Sequence, residues 1–247
     1  ILVDCTLGLG GHSEMILQSS PKTQVIGIDQ DLEAIAFAKK RLEKFGERFK
    51  SFYANFSDIE SVLRKAKVDK VDGILADLGV SSLQLDSETR GFSFRFDAPL
   101  DMRMNPNSDQ ETAADLLETL SEFEIARIIY EYGEERFSRR IARRIVERRA
   151  NGKIPQTTKE LADLVFGAVR RNKKEKIHPA TKTFQALRIA VNHELEILEK
   201  FLQTAIDKLN KNGRLVVISF HSLEDRIVKR TLLKLSGKCE CSPNFPL

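Results

Sequence analysis

The sequence lacks the features that define several protein classes. No run of about 18 apolar residues occurs, so no membrane-spanning helix is expected. Three cysteines are too few, and odd in number, for a disulfide framework, which favours a reducing compartment and a cytoplasmic location. The chain starts at Ile1 and runs directly into a strand-like stretch, so no signal peptide is recognisable, and the missing Met favours a truncated sequence.

The net charge of the chain is small, but basic residues are concentrated in one segment. The formal net charge is only +4, yet residues 136–153 hold eight basic side chains and one acidic side chain, Glu147. Clustered arginine is typical of a surface that meets a polyanion such as nucleic acid. A solvated basic helix face is an equally frequent alternative.

The composition and length indicate a globular protein with a sizeable core. Hydrophobic residues make up 41% and charged residues 31% of the 247 residues, which excludes disorder and collagen. This length predicts one large domain or two unequal ones. The first eighty residues alternate short apolar runs with amphipathic stretches, the pattern of a doubly wound α/β fold. We predict four strands there, at residues 2–6, 24–29, 51–55 and 71–78.

The α/β pattern is interrupted after residue 80. The chain is loop-like to about residue 106, and helical periodicity follows over about 112–171. A further helical pattern over 183–209, in one piece or two, ends at Asn212-Gly213, before a buried strand at 214–220 and a helix at 222–235. We therefore expect an α/β domain formed by residues 1–104 and 181–247, with a helical insertion at 105–180. Such a sheet normally has one or two more strands, so truncation is expected at the C-terminus too.

The turn after the first strand contains Gly8, Gly10 and Gly11 at the start of a predicted helix. Glycines there let the backbone approach a ligand, and the helix N-terminus supplies free N–H groups. A dinucleotide fingerprint fails because Ser13 replaces the third glycine, and a phosphate-binding loop fails because no Lys-Ser/Thr follows. The turn instead resembles the S-adenosylmethionine loop of class I methyltransferases. A tight turn without a ligand remains the alternative.

Three residues follow or end the next strands. Asp29 ends the second strand, 21 positions after Gly8, where a carboxylate can accept hydrogen bonds from ribose hydroxyls, or can cap a helix. Phe56 follows the third strand and is either an adenine contact or a core residue. Asp77 ends the fourth strand, at the carboxyl edge where a sulfonium cofactor or a substrate amine would meet it.

Six segments resemble the MraW/RsmH family, bacterial methyltransferases that act on N4 of a cytidine in the decoding region of 16S ribosomal RNA. The resemblance spans nearly the whole chain, although the family's short N-terminal lead and Arg-rich C-terminal strand region are missing. The segments are LGVSSLQLD at 78–86, RGFSF at 90–94, PLDMRM at 99–104, YGEER at 132–136, HPATKTFQALRI at 178–189 and SFHSLEDR at 219–226.

The resemblance implies a Rossmann-like class I methyltransferase domain with an inserted all-helical domain and S-adenosyl-L-methionine as cofactor. His12 and Gln84 enter the cofactor site on resemblance alone. The implied cofactor contacts are Gly10, Gly11, His12, Asp29, Phe56, Asp77 and Gln84.

The residues present favour methylation of an exocyclic amine. Methylation at cytosine C5 generally needs a thiolate, but Cys5 lies within the first strand, and Cys239 and Cys241 lie in an irregular tail. This tail pair is also a weak metal hint, since nothing completes a zinc site, and no metal is predicted. Amine methylation needs an in-line approach and a proton acceptor, for which Asp77 is the catalytic candidate. The common tetrapeptide Asp/Asn-Pro-Pro-Tyr is absent.

Substrate contacts are expected mainly around the insertion. His221 follows the strand at 214–220 and should emerge beside Asp77, with a packed or capping histidine as the alternative. The aromatic rings of Phe92, Phe94 and Phe96 either stack on a base or form one buried face. Arginines at 136–149 would contact phosphates. The substrate candidates are Arg90, Asp101, Arg103, His178 and His221.

The residues and the resemblance together predict an S-adenosylmethionine-dependent methyltransferase that acts on cytosine N4 of small-subunit ribosomal RNA. The RNA is expected to be bound within the 30S particle, and no membrane partner is expected. A non-catalytic RNA-binding assembly factor on the same fold is the first alternative. A nicotinamide-dependent oxidoreductase is the second, and the missing third glycine argues against it. Both a monomer and a homodimer remain open.

Overall fold

The computed structural model describes residues 1–169 and 178–237. The chain divides into two compact units. The sheet unit contains Ile1–Gly79 and the residues from Leu195 onward, and the helical unit contains Val80–Glu194. The helical unit thus begins before the predicted residue 105 and ends after the predicted residue 180. The reason for the early start is packing, since Phe92, Leu100 and other loop residues are buried in its core.

The sheet has five parallel strands in the order β3-β2-β1-β4-β5. Its order reverses direction between β1 and β4, which opens a crevice at the carboxyl ends of these two central strands. The expected α/β, Rossmann-like fold is confirmed. The strands are β1 at Leu2–Asp4, β2 at Val25–Asp29, β3 at Phe49–Tyr53, β4 at Val71–Asp77 and β5 at Leu209–Ile218.

Within the described part of the chain, eleven α-helices and two short 3-10 helices, Glu43–Arg48 and Phe56–Asp58, complete the fold. No helix there is long and apolar enough to cross a membrane. The α-helices are α1 at Gly11–Ser19, α2 at Leu32–Leu42, α3 at Ile59–Lys65, α4 at Ser82–Asp86, α5 at Ala113–Thr119, α6 at Glu122–Gly133, α7 at Ser138–Ala150, α8 at Thr158–Ala168, α9 at Ala180–Asn192, α10 at Glu194–Asp207 and α11 at Ser222–Leu235.

Both faces of the sheet are covered. One apolar cluster joins the strands to α3 and α10 through residues such as Leu63 and Phe201. A second joins the strands to α1 and α2 through Leu17 and Leu42. Strands buried on two faces read as nearly continuous apolar runs, which is why β2, with the sequence VIGID, was recognisable in the sequence.

The last strand begins earlier than the sequence predicted. β5 pairs Leu209 with Val71 and then Arg214 with Gly73, so the intervening residues form an irregularity within the strand. Asn212 has φ +68°, and a Cβ on Gly213 would lie 2.9 Å from the Asn210 carbonyl oxygen. Asn212-Gly213 therefore shapes a bulge inside β5 and does not end a helix.

The helical unit is organised around a buried amide. The Asn192 side chain donates to the Met102 carbonyl and accepts from the Met104 N–H, both at 2.7 Å. These bonds hold the loop segment, in which Met102 has φ +62°, against the end of α9. His193 then takes a left-handed conformation at φ +50°, so α9 ends and α10 begins within the helical pattern predicted over 183–209.

Candidate active site

Three carboxylates mark the carboxyl ends of three neighbouring strands in the sheet unit. Asp4 ends β1, and its register partners are Gly27 in β2 and Leu75 in β4. β2 and β4 each continue two residues further, to Asp29 and Asp77. The two longer strands therefore place Asp29 and Asp77 on either side of the loop that follows β1.

Asp4 anchors this loop to the first helix. Its side chain is fully buried, and Oδ2 accepts a 2.7 Å hydrogen bond from Ser13 Oγ in α1. Oδ1 accepts from the Thr6 N–H at 3.3 Å. Burial raises the pKa of Asp4, and the Ser13 and Thr6 hydrogen bonds offset part of that rise. The sequence reasoning missed Asp4 as a functional residue, although an acidic residue before the glycine turn was the available signal.

The glycine loop is held in a single conformation by the chain around it. Gly8 and Gly10 have φ of +48° and +78°, in the left-handed region that favours glycine. A Cβ on Gly10 would lie 3.1 Å from Leu42 Cδ1 and 3.3 Å from Ala38 Cβ. Gly10 therefore lets the loop pack against α2 while the N–H groups at the start of α1 remain available to a ligand.

Asp29 is tied to the loop. Its Oδ2 accepts from the Gly8 N–H at 2.7 Å, and its Oδ1 accepts from the Asp31 N–H at 2.9 Å. Burial raises the pKa of Asp29 to about 6, although both hydrogen bonds act in the opposite direction. Asp31 caps α2 through the Glu33 N–H, as the sequence predicted, so Asp29 is not the capping residue.

Asp77 faces the loop from the other side. Its backbone N–H donates to Thr6 Oγ1 at 2.7 Å, and its Oδ2 lies 3.1 Å from His12 Nε2. The second oxygen, Oδ1, is buried and has no hydrogen-bond partner among the residues that the structure describes. A buried carboxylate oxygen without a partner is costly, which marks Asp77 as a group arranged for a ligand.

Two further predicted cofactor contacts have structural roles. Phe56 is half-buried and meets Phe201 edge-to-face at 5.0 Å between ring centroids, within the sheet core. Gln84 lies in the helical unit, where its buried side chain accepts from the Ser81 N–H at 3.0 Å and completes a capping box at the start of α4. The sheet unit itself thus brings Gly10, Gly11, His12, Asp29 and Asp77 to one edge.

The sequence model of the MraW methylase family matches residues 1–247. The chain belongs to this family. It is 51% identical to the ribosomal RNA small subunit methyltransferase H of Fusobacterium nucleatum, over 99% of this chain and 77% of that protein. The proteins of the same name from Geotalea uraniireducens and Geobacter sulfurreducens are 52% and 53% identical, over all of this chain and 79% of each. The family resemblance stated above is confirmed.

In this MraW-family chain, Arg90, Asp101 and Arg103 brace a loop of the helical unit. Arg90 Nη2 donates to the carbonyl oxygens of Arg103 and Met104 at 3.1 and 2.9 Å. Arg103 forms two 2.8 Å hydrogen bonds with the two carboxylate oxygens of Asp101. Burial alone would raise the pKa of Asp101, but the Arg103 contacts outweigh it and lower that pKa.

The two histidine candidates of the MraW-family chain are also packed or capping. The His178 ring lies 4.8 Å from Phe94 and 6.0 Å from Phe166, and its Nδ1 accepts from the Ala180 N–H. His221 follows β5 at the same sheet edge as Asp77 and caps α11, where it accepts from the Glu224 N–H. Of the predicted aromatic stripe, Phe92 is buried in the helical core.

The basic cluster of this family member separates into two kinds of arginine. Arg149 donates to the carbonyl oxygens of Leu117, Glu118 and Leu120, so it caps the end of α5. The exposed arginines of α7 differ, because the side chains of four of them form no ion pair or hydrogen bond with any residue described. These four are Arg139, Arg140, Arg144 and Arg148.

The close approach of Gly10 to α2 predicts a specific stability loss. Gly10→Ala should lower the free energy of unfolding by about 2–4 kcal/mol, because it adds left-handed strain of about 1 kcal/mol to overpacking against Leu42 and Ala38. Gly152→Ala is the matched control, since Gly152 has φ +65° and open space around its Cβ. Urea denaturation measures both variants, and equal losses would contradict the packing argument.

Proposed function

We propose that this chain is a 16S rRNA (cytosine-N4)-methyltransferase that uses S-adenosyl-L-methionine in the cytoplasm. The observation that carries the proposal is the carboxyl edge of β1, β2 and β4, where the glycine loop, Asp29 and Asp77 converge at the switch point of the sheet. Ligands of open α/β sheets bind at such points. Membership of a methylase family and relatives named ribosomal RNA small subunit methyltransferase H support the reaction and the RNA class.

The residues at this edge fit the proposed cofactor. The first turn of α1 supplies backbone N–H groups that have no intrahelical acceptor, and Asp29 offers carboxylate lone pairs to ribose hydroxyls. The unpartnered Oδ1 of Asp77 offers a negative partner to a positively charged group. S-adenosyl-L-methionine supplies a methyl group from a sulfonium centre. We propose Gly10, Gly11, His12, Asp29, Phe56 and Asp77 as its contacts, and Gln84 stays a prediction from the resemblance.

The chemistry of the described cysteine supports methylation of an amine. Cys5 is buried, and this burial raises the pKa of its thiol well above the usual value. The nearby charge of Asp4 adds a smaller effect in the same direction. Cys5 is therefore a poor nucleophile for covalent attack on a pyrimidine ring, and Cys239 and Cys241 lie outside the described residues. Transfer to N4 needs no such nucleophile, only alignment and a proton acceptor near Asp77.

The proposed partner is small-subunit ribosomal RNA, with the 30S particle as its natural form. The exposed arginines of α7 would contact phosphates without reading sequence. Arg90, Asp101, Arg103, His178 and His221 stay predicted substrate contacts, because the structure shows them in structural bonds. A homodimer also remains a proposal. The assembly-factor alternative has no comparable support. A protein that only binds RNA would not need the glycine loop, Asp29 and Asp77 at one edge of the sheet.

A methyl-transfer assay tests the function. The full-length protein should transfer label from S-adenosylmethionine to small-subunit particles and produce N4-methylcytidine, identified by mass spectrometry of the digested RNA. Naked 16S RNA assayed in parallel distinguishes the two substrate forms, and Asp77→Asn should transfer at least tenfold more slowly. Cofactor binding without any labelled RNA would contradict the proposed substrate, whereas label at a different atom would contradict the N4 assignment.

The raised pKa of Asp29 predicts a pH-dependent cofactor affinity. Ribose hydroxyls donate hydrogen bonds to the ionised carboxylate of Asp29. At low pH the carboxyl group is protonated, so it must lose this proton before the cofactor can bind. Because its pKa is about 6 in the free protein, the affinity should be constant above about pH 7 and fall toward tenfold per pH unit below about pH 6. Calorimetric titrations from pH 5 to pH 8 measure it.

The matched variant for this titration is Asp29→Asn. It should bind S-adenosylmethionine about 1–3 kcal/mol more weakly at pH 7.5, since a buried charge-assisted pair is lost. Its affinity for S-adenosylmethionine should also vary less with pH, because the variant lacks the Asp29 carboxyl group whose pKa is raised. His12 and Asp77 are unchanged in this variant. A wild-type affinity that stays constant down to pH 5 would remove the ionisation of Asp29 from cofactor binding.

The α7 arginines predict a salt-dependent RNA affinity. Replacing both Arg140 and Arg144 with alanine should weaken RNA binding uniformly across sequences and reduce the slope of log K against log salt by about 1.5. Filter binding at several salt concentrations measures this slope. The control is Lys200→Ala with Lys211→Ala, which removes two exposed lysines of the sheet unit. Identical slopes for the wild type and the arginine variant would exclude phosphate contacts at α7.

A further inference from the structure

The His12–Asp77 pair joins two elements that are far apart in the chain. His12 lies in the first turn of α1, and its Nε2 lies 3.1 Å from Oδ2 of Asp77 at the end of β4. The His12 side chain is 46% exposed and that of Asp77 is 30% exposed, so both can be reached from the crevice edge of the sheet unit. The resemblance assigned His12 to the cofactor only, and nothing in the sequence spacing paired it with Asp77.

Both partners are held in place by neighbouring bonds. The Asp77 backbone N–H donates to Thr6 Oγ1, which fixes the end of β4 against the glycine loop. Ser13, the residue after His12, donates to the buried carboxylate of Asp4, which fixes the first turn of α1 to the end of β1. A ring held in this way keeps its orientation throughout a reaction.

The hydrogen bond to Asp77 determines which ring nitrogen is free to accept a proton. An ionised carboxylate only accepts, so Nε2 of neutral His12 carries the hydrogen and Nδ1 is left with its lone pair. Nδ1 has no hydrogen-bond partner within the described ranges. A carboxylate that orients a histidine and stabilises its protonated form, with the opposite nitrogen free, is the arrangement of a general base.

We propose that His12 Nδ1 accepts the proton that the N4 amine loses during methyl transfer, and that Asp77 acts through His12 as a positioning residue. This inference rests on the proposed function. The amine nitrogen forms the new N–CH3 bond as the S–CH3 bond breaks, and that electron pair stays on sulfur, which becomes a neutral thioether. The N–H electron pair stays on nitrogen, and the proton passes to Nδ1 and then to water.

Charged groups face His12 from several elements of the sheet unit. Asp77 contacts it from β4, and Asp4 acts on it from β1. Asp29 in β2 is turned toward the Gly8 N–H. From α2, the guanidinium group of Arg41 lies near Gly11 and forms a 2.7 Å ion pair with Glu14, whose carboxylate also pairs with Lys44 at 2.6 Å.

The decisive variant is His12→Gln. Its amide can still donate to Asp77 from the position of Nε2, but it has no proton-accepting nitrogen. The assay measures single-turnover transfer to 30S particles across pH 5–9. Saturating S-adenosylmethionine is used so that the effect of Asp29 on cofactor affinity does not influence the rate. The wild-type rate should fall at low pH as the imidazole becomes protonated. The variant should be about 100-fold slower, and that acidic limb should disappear.

Two outcomes would overturn the inference: a wild-type rate in His12→Gln, or a slow variant that keeps the acidic limb. His193→Asn, which replaces an exposed imidazole at the break between α9 and α10, is the control and should transfer at the wild-type rate. If the glutamine variant is too slow to profile, His12→Ala decides. Added imidazole should restore part of its rate, 1,3-dimethylimidazolium should not, and no recovery would count against the inference. Absence of transfer by the wild type would instead contradict the proposed function.

Discussion

The buried carboxylate of Asp4 is the constraint on which the sheet unit's ligand edge depends. A carboxylate without solvent exposure must be hydrogen-bonded, and the partners it finds are Ser13 and Thr6. Ser13 sets where α1 begins, and Thr6 in turn accepts from the Asp77 N–H. The loop between them is therefore confined to one path, which Gly10 makes possible by leaving no side chain between the loop and α2.

The three carboxylates of this edge differ because their surroundings differ. Asp4 is enclosed and serves the architecture, whereas Asp29 is desolvated enough to have its pKa raised to about 6 and still accepts from the glycine loop. Asp77 shares one oxygen with His12 and leaves the other without a partner in the described structure. Asp4 thus anchors the loop, Asp29 has a raised pKa, and Asp77 orients His12. Such an arrangement is suited to cofactor binding and proton transfer.

The sequence reasoning was most successful where local pattern and tertiary structure agree. The first four strands and the helix at 222–235 were predicted within about two residues, since buried parallel strands and amphipathic helices carry clear periodicity. It failed at Asn212-Gly213, because this pair suits a helix end and a bulge equally well. A loop without periodicity also gives no sign that Phe92 and Leu100 are buried in the core of the helical unit.

The sequence by itself determined the α/β order, the family and the set of candidate residues, because periodicity and motif spacing are local properties of the chain. Only the tertiary structure decided what those residues contact. It paired His12 with Asp77, 65 positions away, and used Arg149 and His221 as helix caps. Partners so distant in sequence meet only when the chain folds, and burial, which raises or lowers each pKa, exists only in the packed molecule.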